Sequence, residues 1–427
     1  MMAFRSNEFL DEWRIIKFRD CIIQLNTGLN PRDNFSLGSG EIKYITAKNL
    51  SREGTIDFTV CDYIDLKAKE VIHKRSDIQK GDILFASRAP IGHCHLIKEE
   101  PSYFDVGESI FCIRVDKNVV LPEYLCLYLS SDFFIQMASK RVTGSVIQEI
   151  RIGDLLDTDV IVPPQKIQQR IAKKIGVIDE KLELNKAICS DLEAMAKLLY
   201  DYWFVQFDFP DENGRPYKSS GGKMVWNEEL KREIPEGWEV KPVLEVFDWI
   251  GTSQPPKSTF KYEPRDGYVR FIQNRDYDTD NHITYIPLTE STRTCNKWDI
   301  MMDKYGDAGK IRFGIAGAYN VALSKISVHD NKMREYVRAY LKSDTIYNYL
   351  HAACMASTRA SLNEANFDFL SIVIPNNTTL NKFDDLAKSI ITKQFEIKSE
   401  NQQLASLRDF LLPMLMNGQV KVGKAGG

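Results

Sequence analysis

The sequence predicts an α+β protein: two similar globular domains separated by two long antiparallel coiled-coil helices, with the halves related as an internal pseudo-two-fold repeat. Three observations carry this prediction. One ordered series of short motifs occurs twice, about 215 residues apart, a period too long for a solenoid and suited to a duplicated domain. Each copy is followed by a long segment with apolar residues at three-four spacing. The chain, at 427 residues, is also too long for one ordinary domain.

The first copy opens with EWRIIKFRDCIIQLNTG from Glu12 and the second with GWEVKPVLEVFDWIGTS from Gly237; each has a Trp, alternating apolar residues and a turn. An apolar strand with an amide-bearing end follows, YITAKNL (44–50) against VRFIQNRD (269–276). Next, an acidic-apolar strand runs into a glycine loop, GDILFASRAPIG (81–92) against WDIMMDKYGDAG (298–309). Gly92 and Gly309 are expected to permit tight turns. A short helix is predicted over PEYLCLYLSSD (122–132) and REYVRAYLKSD (334–344), where Leu125 and Leu129, or Val337 and Leu341, define one buried face. TGSVIQEI (143–150) parallels TRASLNEA (358–365), and each copy closes on a strand ending in proline, DVIVPP (159–164) and SIVIPN (371–376).

After each proline the apolar spacing predicts a coiled-coil seam. In the first helix the seam residues are Ile171, Ile175, Ile178, Leu182, Cys189, Leu192, Met195 and Leu199; in the second they are Phe383, Leu386, Ile390, Ile397, Leu404, Leu407 and Leu411. A helix of this length is a rod of roughly 55 Å, and two such rods in one chain pair most simply as antiparallel partners. Asn185 and Asn401 fall on or beside the seam, either as exposed amides or as a contact that fixes helix register. The expected organisation is a first domain over 1–164, a central helix over 165–205 and a connecting loop over 206–236 rich in Pro, Gly, Ser and charge. A second domain over 237–376, a C-terminal helix over 377–418 and a tail over 419–427 complete it.

Composition excludes several classes. Hydrophobic residues at 43% and charged residues at 27% suit a folded protein. No apolar run approaches the roughly 18 residues of a membrane span, and the amino terminus lacks a positive-apolar-small signal pattern, so a cytoplasmic location is expected. The net charge of −3 gives no general affinity for nucleic acid. The eight cysteines include no C-x-x-C pair and read as reduced, packed thiols. In His93-Cys94-His95 neighbouring side chains point to opposite faces of an extended segment, so no metal is expected there.

No catalytic motif survives scrutiny either. Gly38-Ser39-Gly40 is a lone G-x-G, and the stretch from Gly306 to Lys310 lacks Walker spacing. A nuclease pattern built on Pro210-Asp211 and Glu239-Val240-Lys241 is weak because E-x-K recurs at Glu41-Ile42-Lys43 and Glu396-Ile397-Lys398. The six histidines offer no nucleophile-base arrangement. The chain reads as a binding protein without a catalytic residue.

Over essentially its whole length, the order domain, long helix, domain, long helix resembles the specificity subunit of type I restriction-modification systems. The stretches that carry the resemblance are DVIVPPQKIQQRIAKKIGVIDEKLELN, LEAMAKLLYDYWFVQFDF, IPEGWEV and LASLRDFLLPMLMNGQV. One departure is the second prolyl junction, IPNNTTLNKF, where the family usually has Pro-Pro and a Glu-Gln or similar pair; it bears on how a partner docks at that end.

The resemblance implies double-stranded DNA as the ligand, with each target-recognition domain reading one half of a bipartite asymmetric site and the helices setting the spacer. It implies two adenine-methylating modification subunits docked along the helices, and restriction/translocase subunits in the full complex. No cofactor is expected in this chain, since S-adenosylmethionine, ATP and Mg would belong to those partners. The same architecture would also suit a specificity protein serving a different modification enzyme, or a coiled-coil scaffold that does not bind DNA. The residues expected to touch DNA are Lys48, Asn49, Ser87, Arg88, Thr143 and Ser145 in the first domain. In the second they are Asn274, Arg275, Lys304, Tyr305, Lys310, Ser357, Thr358 and Arg359. Arg and Lys pair with guanine or phosphate and Asn with adenine edges, while a solvated loop residue or a phosphate-only contact fits each position too.

Overall fold

The structure is a computed structural model that describes residues 12–32, 34–139, 149–278, 282–355, 361–416 and 418–419. Packing divides the chain into two units, Met1–Asn185 with Glu400–Gly427, and Lys186–Ser399.

In the first unit the strands are β1 (Arg14–Lys17), β2 (Ile22–Thr27), β3 (Ile42–Ile45), β4 (Asp62–Ile64), β5 (Ile83–Ala86), β6 (Cys94–Leu96), β7 (Phe104–Val106), β8 (Ile110–Val115) and β9 (Asp159–Val162). The helices are α1 (Leu66–Ser76), α2 (Pro122–Ser130), α3 (Asp132–Ser139), α4 (Ile152–Leu156) and α5 (Gln165–Tyr200), the last continuing beyond the unit. An antiparallel sheet has the order β2-β8-β5-β6, a second sheet the order β4-β3-β7 with β3 parallel to β7, and a β1-β9 ribbon ties the start of the unit to its end. All four residues of β5 are buried, as a continuous apolar run between two core clusters requires. Pro122 begins α2, where its missing N–H costs nothing, and Leu125 and Leu129 are fully buried.

The second unit repeats this plan. Its strands are β10 (Met224–Asn227), β11 (Arg232–Pro235), β12 (Glu239–Pro242), β13 (Phe247–Ile250), β14 (Tyr268–Ile272), β15 (Tyr285–Pro287), β16 (Thr294–Cys295), β17 (Ile300–Asp303), β18 (Ile311–Arg312), β19 (Gly317–Tyr319), β20 (Leu323–Val328) and β21 (Ser371–Ile374). Its helices are α6 (Arg334–Lys342), α7 (Asp344–Met355) and α8 (Asn377–Met416), the last continuing into the first unit. The sheet β13-β20-β17-β18 answers β2-β8-β5-β6, β15-β14-β19 answers β4-β3-β7 with the same parallel pair, and β12-β21 answers β1-β9. The match is not complete: α1 of the first unit is replaced by the short strand β16, α4 by a single 3-10 turn at Glu364–Phe367, and the β10-β11 hairpin is added in the second unit.

Two tyrosines in each unit bind helix to closing strand. Tyr124 donates to the Ile161 carbonyl at 2.8 Å and Tyr128 to that of Asp159 at 3.4 Å. Tyr336 and Tyr340 bond in the same way to Val373 and Ser371. The prolyl junctions differ. Gln168, fully buried, accepts from the Leu121 amide at 2.7 Å and donates to the Pro163 carbonyl at 2.8 Å. In the second junction Asn376 instead accepts from the Thr379 amide at 2.9 Å, and Leu380 is buried in the core.

Within the first unit, α5 and the end of α8 run antiparallel. Ile171 and Ile175 share a core with Leu412, Leu415 and Met416. Asp179 accepts from Arg408 at 3.3 Å, Lys181 lies 3.5 Å from Glu400, and the Asn185 amide donates to Glu400 at 2.8 Å and Asn401 at 2.7 Å. Ile178 and Leu182 are buried, while Leu404 and Leu411 are half-buried. Asn185 is only 1% exposed, so of the two readings of this amide the structure has the contact between helices. Within the second unit, Trp203 and Phe204 close the helix in a π-turn and pack on Phe383, with ring centroids 5.9 and 4.8 Å away.

Two expectations need correction. Leu386 is 47% exposed and Ile390 only half-buried; the buried apolar residues of α8 in this unit are Leu380, Phe383, Ala387, Ile391 and Ile397. Leu192 and Leu199 are half-buried, Met195 is 55% exposed, and Leu407 is 46% exposed beside the buried Arg408. The stretch over 206–236 is also more than a connecting loop. It contains the β10-β11 hairpin, and Phe209 stacks on Tyr217 at 4.6 Å and on Trp238 at 4.9 Å. Burying these aromatic rings offsets the cost of ordering a Gly- and Pro-rich chain.

Candidate nucleic-acid interface

In the first unit, three segments expected to face a ligand converge on the turn after β7. The Gly107 amide donates to the Ile45 carbonyl at 2.8 Å, the Ser87 amide to Ser109 at 3.0 Å, and the Ile150 amide to Ser87 at 2.9 Å. Ser109 Oγ also accepts from the Ala47 amide at 3.0 Å. These bonds join the turn after β3, the loop after β5 and the segment that precedes α4.

The same main-chain bonds recur in the second unit. Asn320 donates to the Ile272 carbonyl at 3.0 Å, Lys304 to Ala322 at 2.8 Å, and Leu362 to Lys304 at 3.1 Å. The glycine loops also match. Gly92 and Gly309 have φ of +87° and +93°, and a Cβ would meet Ile135 of α3 in the first and Leu350 of α7 in the second. Each loop is therefore clamped between its strand and a helix, in a conformation that glycine adopts without strain.

Onto this frame the expected residues fall unevenly. Lys48 is exposed, 4.0 Å from Asp62. Asn49 is 1% exposed, and its carbonyl oxygen accepts from the Thr46 amide at 2.9 Å, capping the short turn after β3. Asp276 occupies that capping place in the second unit, taking the Gln273 amide at 3.0 Å. Ser87 is fully buried and donates to Ser109. Asn49 and Ser87 are thus withdrawn from any ligand. Arg88 is held by Glu108 at 2.9 Å and Glu149 at 3.2 Å, and the Arg88 bond keeps the Glu108 carboxyl below its ordinary range.

In the second unit Arg275 is exposed, and Asn274 is half-buried with its carbonyl oxygen unbonded among the described residues. Lys304 is half-buried with its ammonium 6.0 Å from the ring of Tyr305, itself 44% exposed. Lys310 bonds Asp307 at 2.7 Å, and with Tyr347 it lowers the Asp307 pKa. Thr143, Ser145, Ser357, Thr358 and Arg359 lie outside the described residues.

Some participants had no clear sequence signal. Ser109 and Glu108 organise the first frame from a turn that no motif marks. In the second, Arg312 bridges Asp303 and Asp278 at 3.1 Å each, beside the turn after β14. Burial raises the Asp303 pKa and Arg312 draws it back. His93 and His95 bind the Leu50 and Gly54 carbonyls, both at 2.6 Å, and so fasten the loop after β3 to β6.

A duplicated α+β chain with one loop frame per copy, and a different set of polar side chains on each frame, defines a class of tandem-domain proteins. The family model described as "Type I restriction modification DNA specificity domain" matches residues 11–194 and 235–405. The chain belongs to this family of type I restriction-modification specificity subunits, with one such domain in each repeat.

It is 25% identical over 426 residues to the specificity subunit of the type I restriction enzyme MjaIX of Methanocaldococcus jannaschii, covering 96% of this chain and 94% of that protein. To the specificity subunit of the type I restriction enzyme HindI of Haemophilus influenzae it is 24% identical, covering 80% of this chain and 87% of that protein. Its fold is similar to the crystal structure of the type I restriction-modification S subunit from M. genitalium, with a TM-score of 0.57, 15% identity and coverage of 97% and 98% of the two chains.

Proposed function

We propose that this chain is the non-catalytic, DNA-sequence-reading subunit of a type I restriction-modification complex. Each repeat reads one half of a bipartite, asymmetric site, and the paired helices set the unread spacer between the halves. The observation that carries this reading is the repeated loop frame: the same main-chain bonds hold unlike side chains, Ser87 and Arg88 in one unit against Lys304 and Tyr305 in the other. Two different readers on one chain call for a target whose halves differ. Helices of 36 and 40 residues are rods of about 55 and about 60 Å, long enough to span major-groove faces about 34 to 36 Å apart.

Modification subunits that methylate adenine dock along the helices in this reading, and restriction/translocase subunits complete the assembly. Support comes from apolar side chains left in solvent on α5: Val177 at 58%, Leu184 at 56%, Met195 at 55% and Leu198 at 67% exposed. Several exposed apolar residues on one helix suit a protein partner better than water. S-adenosylmethionine, ATP and Mg act in those partners, and the complex works in the cytoplasm.

The test is methylome sequencing of a host that carries this gene with its neighbours, before and after residues 237–376 are exchanged for those of another family member. A methylated adenine is expected in each half of a split motif, with only one half altered by the exchange. Alteration of both halves, or of neither, refutes the division of labour.

A further inference from the structure

Helix α1 has no counterpart among the described residues of the second unit, where β16 stands in its place. It is built to stay in position. Asp65 caps its first turn by accepting from the Ala68 amide at 2.7 Å, and Ala68, Ile72 and Ser76 are buried on one face. Ser76 donates to the buried Asp105 of β7 at 2.7 Å, with His73 lying 3.3 Å from the other carboxylate oxygen.

The opposite face is cationic. Lys67 and Lys74 are seven residues apart, two helical turns on one side, with Arg75 flanking them; all three are exposed, and no carboxylate among the described residues pairs with any of them. Glu70 is the only acidic residue in the helix. In a chain of net charge −3, this places three unpaired cations together on one side of a capped helix. The helix is also coupled to the frame. Asp105, which holds its last turn, lies on the strand that leads directly into Gly107, Glu108 and Ser109, the turn on which the loops after β3 and β5 converge.

Resting on the DNA-reading function proposed above, we infer that α1 is a phosphate clamp peculiar to the first unit: Lys67, Lys74 and Arg75 contact the DNA backbone beside the half-site that unit reads. Phosphate contacts position a protein without carrying sequence information. The clamp therefore strengthens binding at one half-site and leaves the recognised bases unchanged. Each neutralised phosphate contributes about 0.9 to the slope of log K against log salt. Removing three contacts lowers that slope by about 2.7 and weakens binding roughly a hundredfold near 0.15 M salt.

The experiment compares the complex of this subunit with its methyltransferase partners, as wild type, as K67A/K74A/R75A and as the charge-retaining K67R/K74R/R75K. Binding to its methylated-motif DNA is measured from 0.05 to about 0.3 M salt, and circular dichroism checks that each variant is folded. The alanine variant is expected to lose two to three units of slope with an unaltered methylation motif, and the charge-retaining variant to keep the wild-type slope. An unchanged slope in the alanine variant overturns the clamp while leaving the DNA-reading function intact. A changed motif overturns it too, by making α1 a base reader. A wild-type complex without sequence preference refutes the underlying function, and the clamp with it.

Discussion

Replacing Asn185 by alanine tests how the two helices are held in register. The Asn185 amide donates to a carboxylate at 2.8 Å and to the Asn401 carbonyl at 2.7 Å, and the residue is 1% exposed. A hydrogen bond to a charged group is worth about 1.5–3 kcal/mol net and a neutral one about 0.5–1.5 kcal/mol. Glu400, however, is 45% exposed at its side chain and keeps Lys181 at 3.5 Å, so it recovers water and an ion pair when the amide is gone. The expected loss therefore lies near the low end, about 2 kcal/mol. Urea denaturation of N185A, E400A and the double variant gives the coupling between them, expected at about 1 kcal/mol.

Leucine at the same place separates stability from register. An apolar residue in a helical seam roughly maintains stability, but it no longer penalises a slipped pairing. A slip of one helical turn moves one helix about 5.4 Å along the other, between one and two base-pair steps of about 3.4 Å. If the paired helices set the spacer as proposed, N185L is expected to accept methylation substrates whose spacer is longer or shorter by one or two base pairs, against a single spacing for the wild type. A coupling near zero for N185A, or an N185L complex that keeps strict spacing, refutes the register role of this amide.

Five further substitutions probe the frames and the helix pair. G92A is expected to cost about 2–3 kcal/mol in denaturant unfolding, because a left-handed backbone disfavours a Cβ by about 1–2 kcal/mol and that Cβ would lie 2.6 Å from Ile135. G38A, at φ +85° with nothing within 4 Å, should cost only the backbone share, about 1 kcal/mol, and equal losses would refute the clamping of the Gly92 loop. R408A leaves Asp179, whose pKa burial already raises, without the guanidinium that opposes that rise. A carboxyl with a raised pKa favours the folded state when protonated, so the loss, about 2 kcal/mol at neutral pH, should shrink as pH falls toward the carboxylate range; a pH-independent loss sinks this account. Y124F and Y336F each remove one bond from a buried hydroxyl to a strand carbonyl and should lower stability by about 1 kcal/mol apiece, with unequal losses counting against equivalent frames.

Periodicity made the frame legible, and side-chain chemistry hid much of the interface. Leu125, Leu129, Val337 and Leu341 are buried where three-four spacing put them, because a helix face is a property of position. Asn49 could not be assigned the same way. An amide that suits an adenine edge also suits the N–H of a tight turn, and the turn has it. Arg88 is satisfied by carboxylates at 108 and 149, a pairing that no local pattern encodes. The seam of α8 was misread at Leu386 because Phe383, Leu386 and Ile390 fit the spacing as well as Phe383, Ala387 and Ile391 do, and a buried alanine gives almost no hydrophobic signal. The packed segment after α5 was masked by its glycines and prolines, and Phe207 and Phe209, which anchor it, lie in irregular chain that no periodicity marks.

The division between frame and side chain suggests how such a chain changes what it reads. Each loop frame is closed by main-chain hydrogen bonds, from Gly107, Ser87 and Ile150 in one unit and from Asn320, Lys304 and Leu362 in the other. Those main-chain bonds are the same whether the residue is Ser87 or Lys304, although Ser87 adds a side-chain bond to Ser109 and Arg88 is held by Glu108 and Glu149. Positions bound through their side chains are not free in this way. Asn49 and Asp276 must both present an oxygen to a turn amide, and Tyr124 and Tyr336 must both reach a strand carbonyl. Variation that leaves the domain folded is therefore expected at 48, 275 and 305 and resisted at 49, 124, 276 and 336. A library randomised at each set and selected only for soluble expression separates them: broad tolerance at the second set would show that the frame does not depend on those side chains.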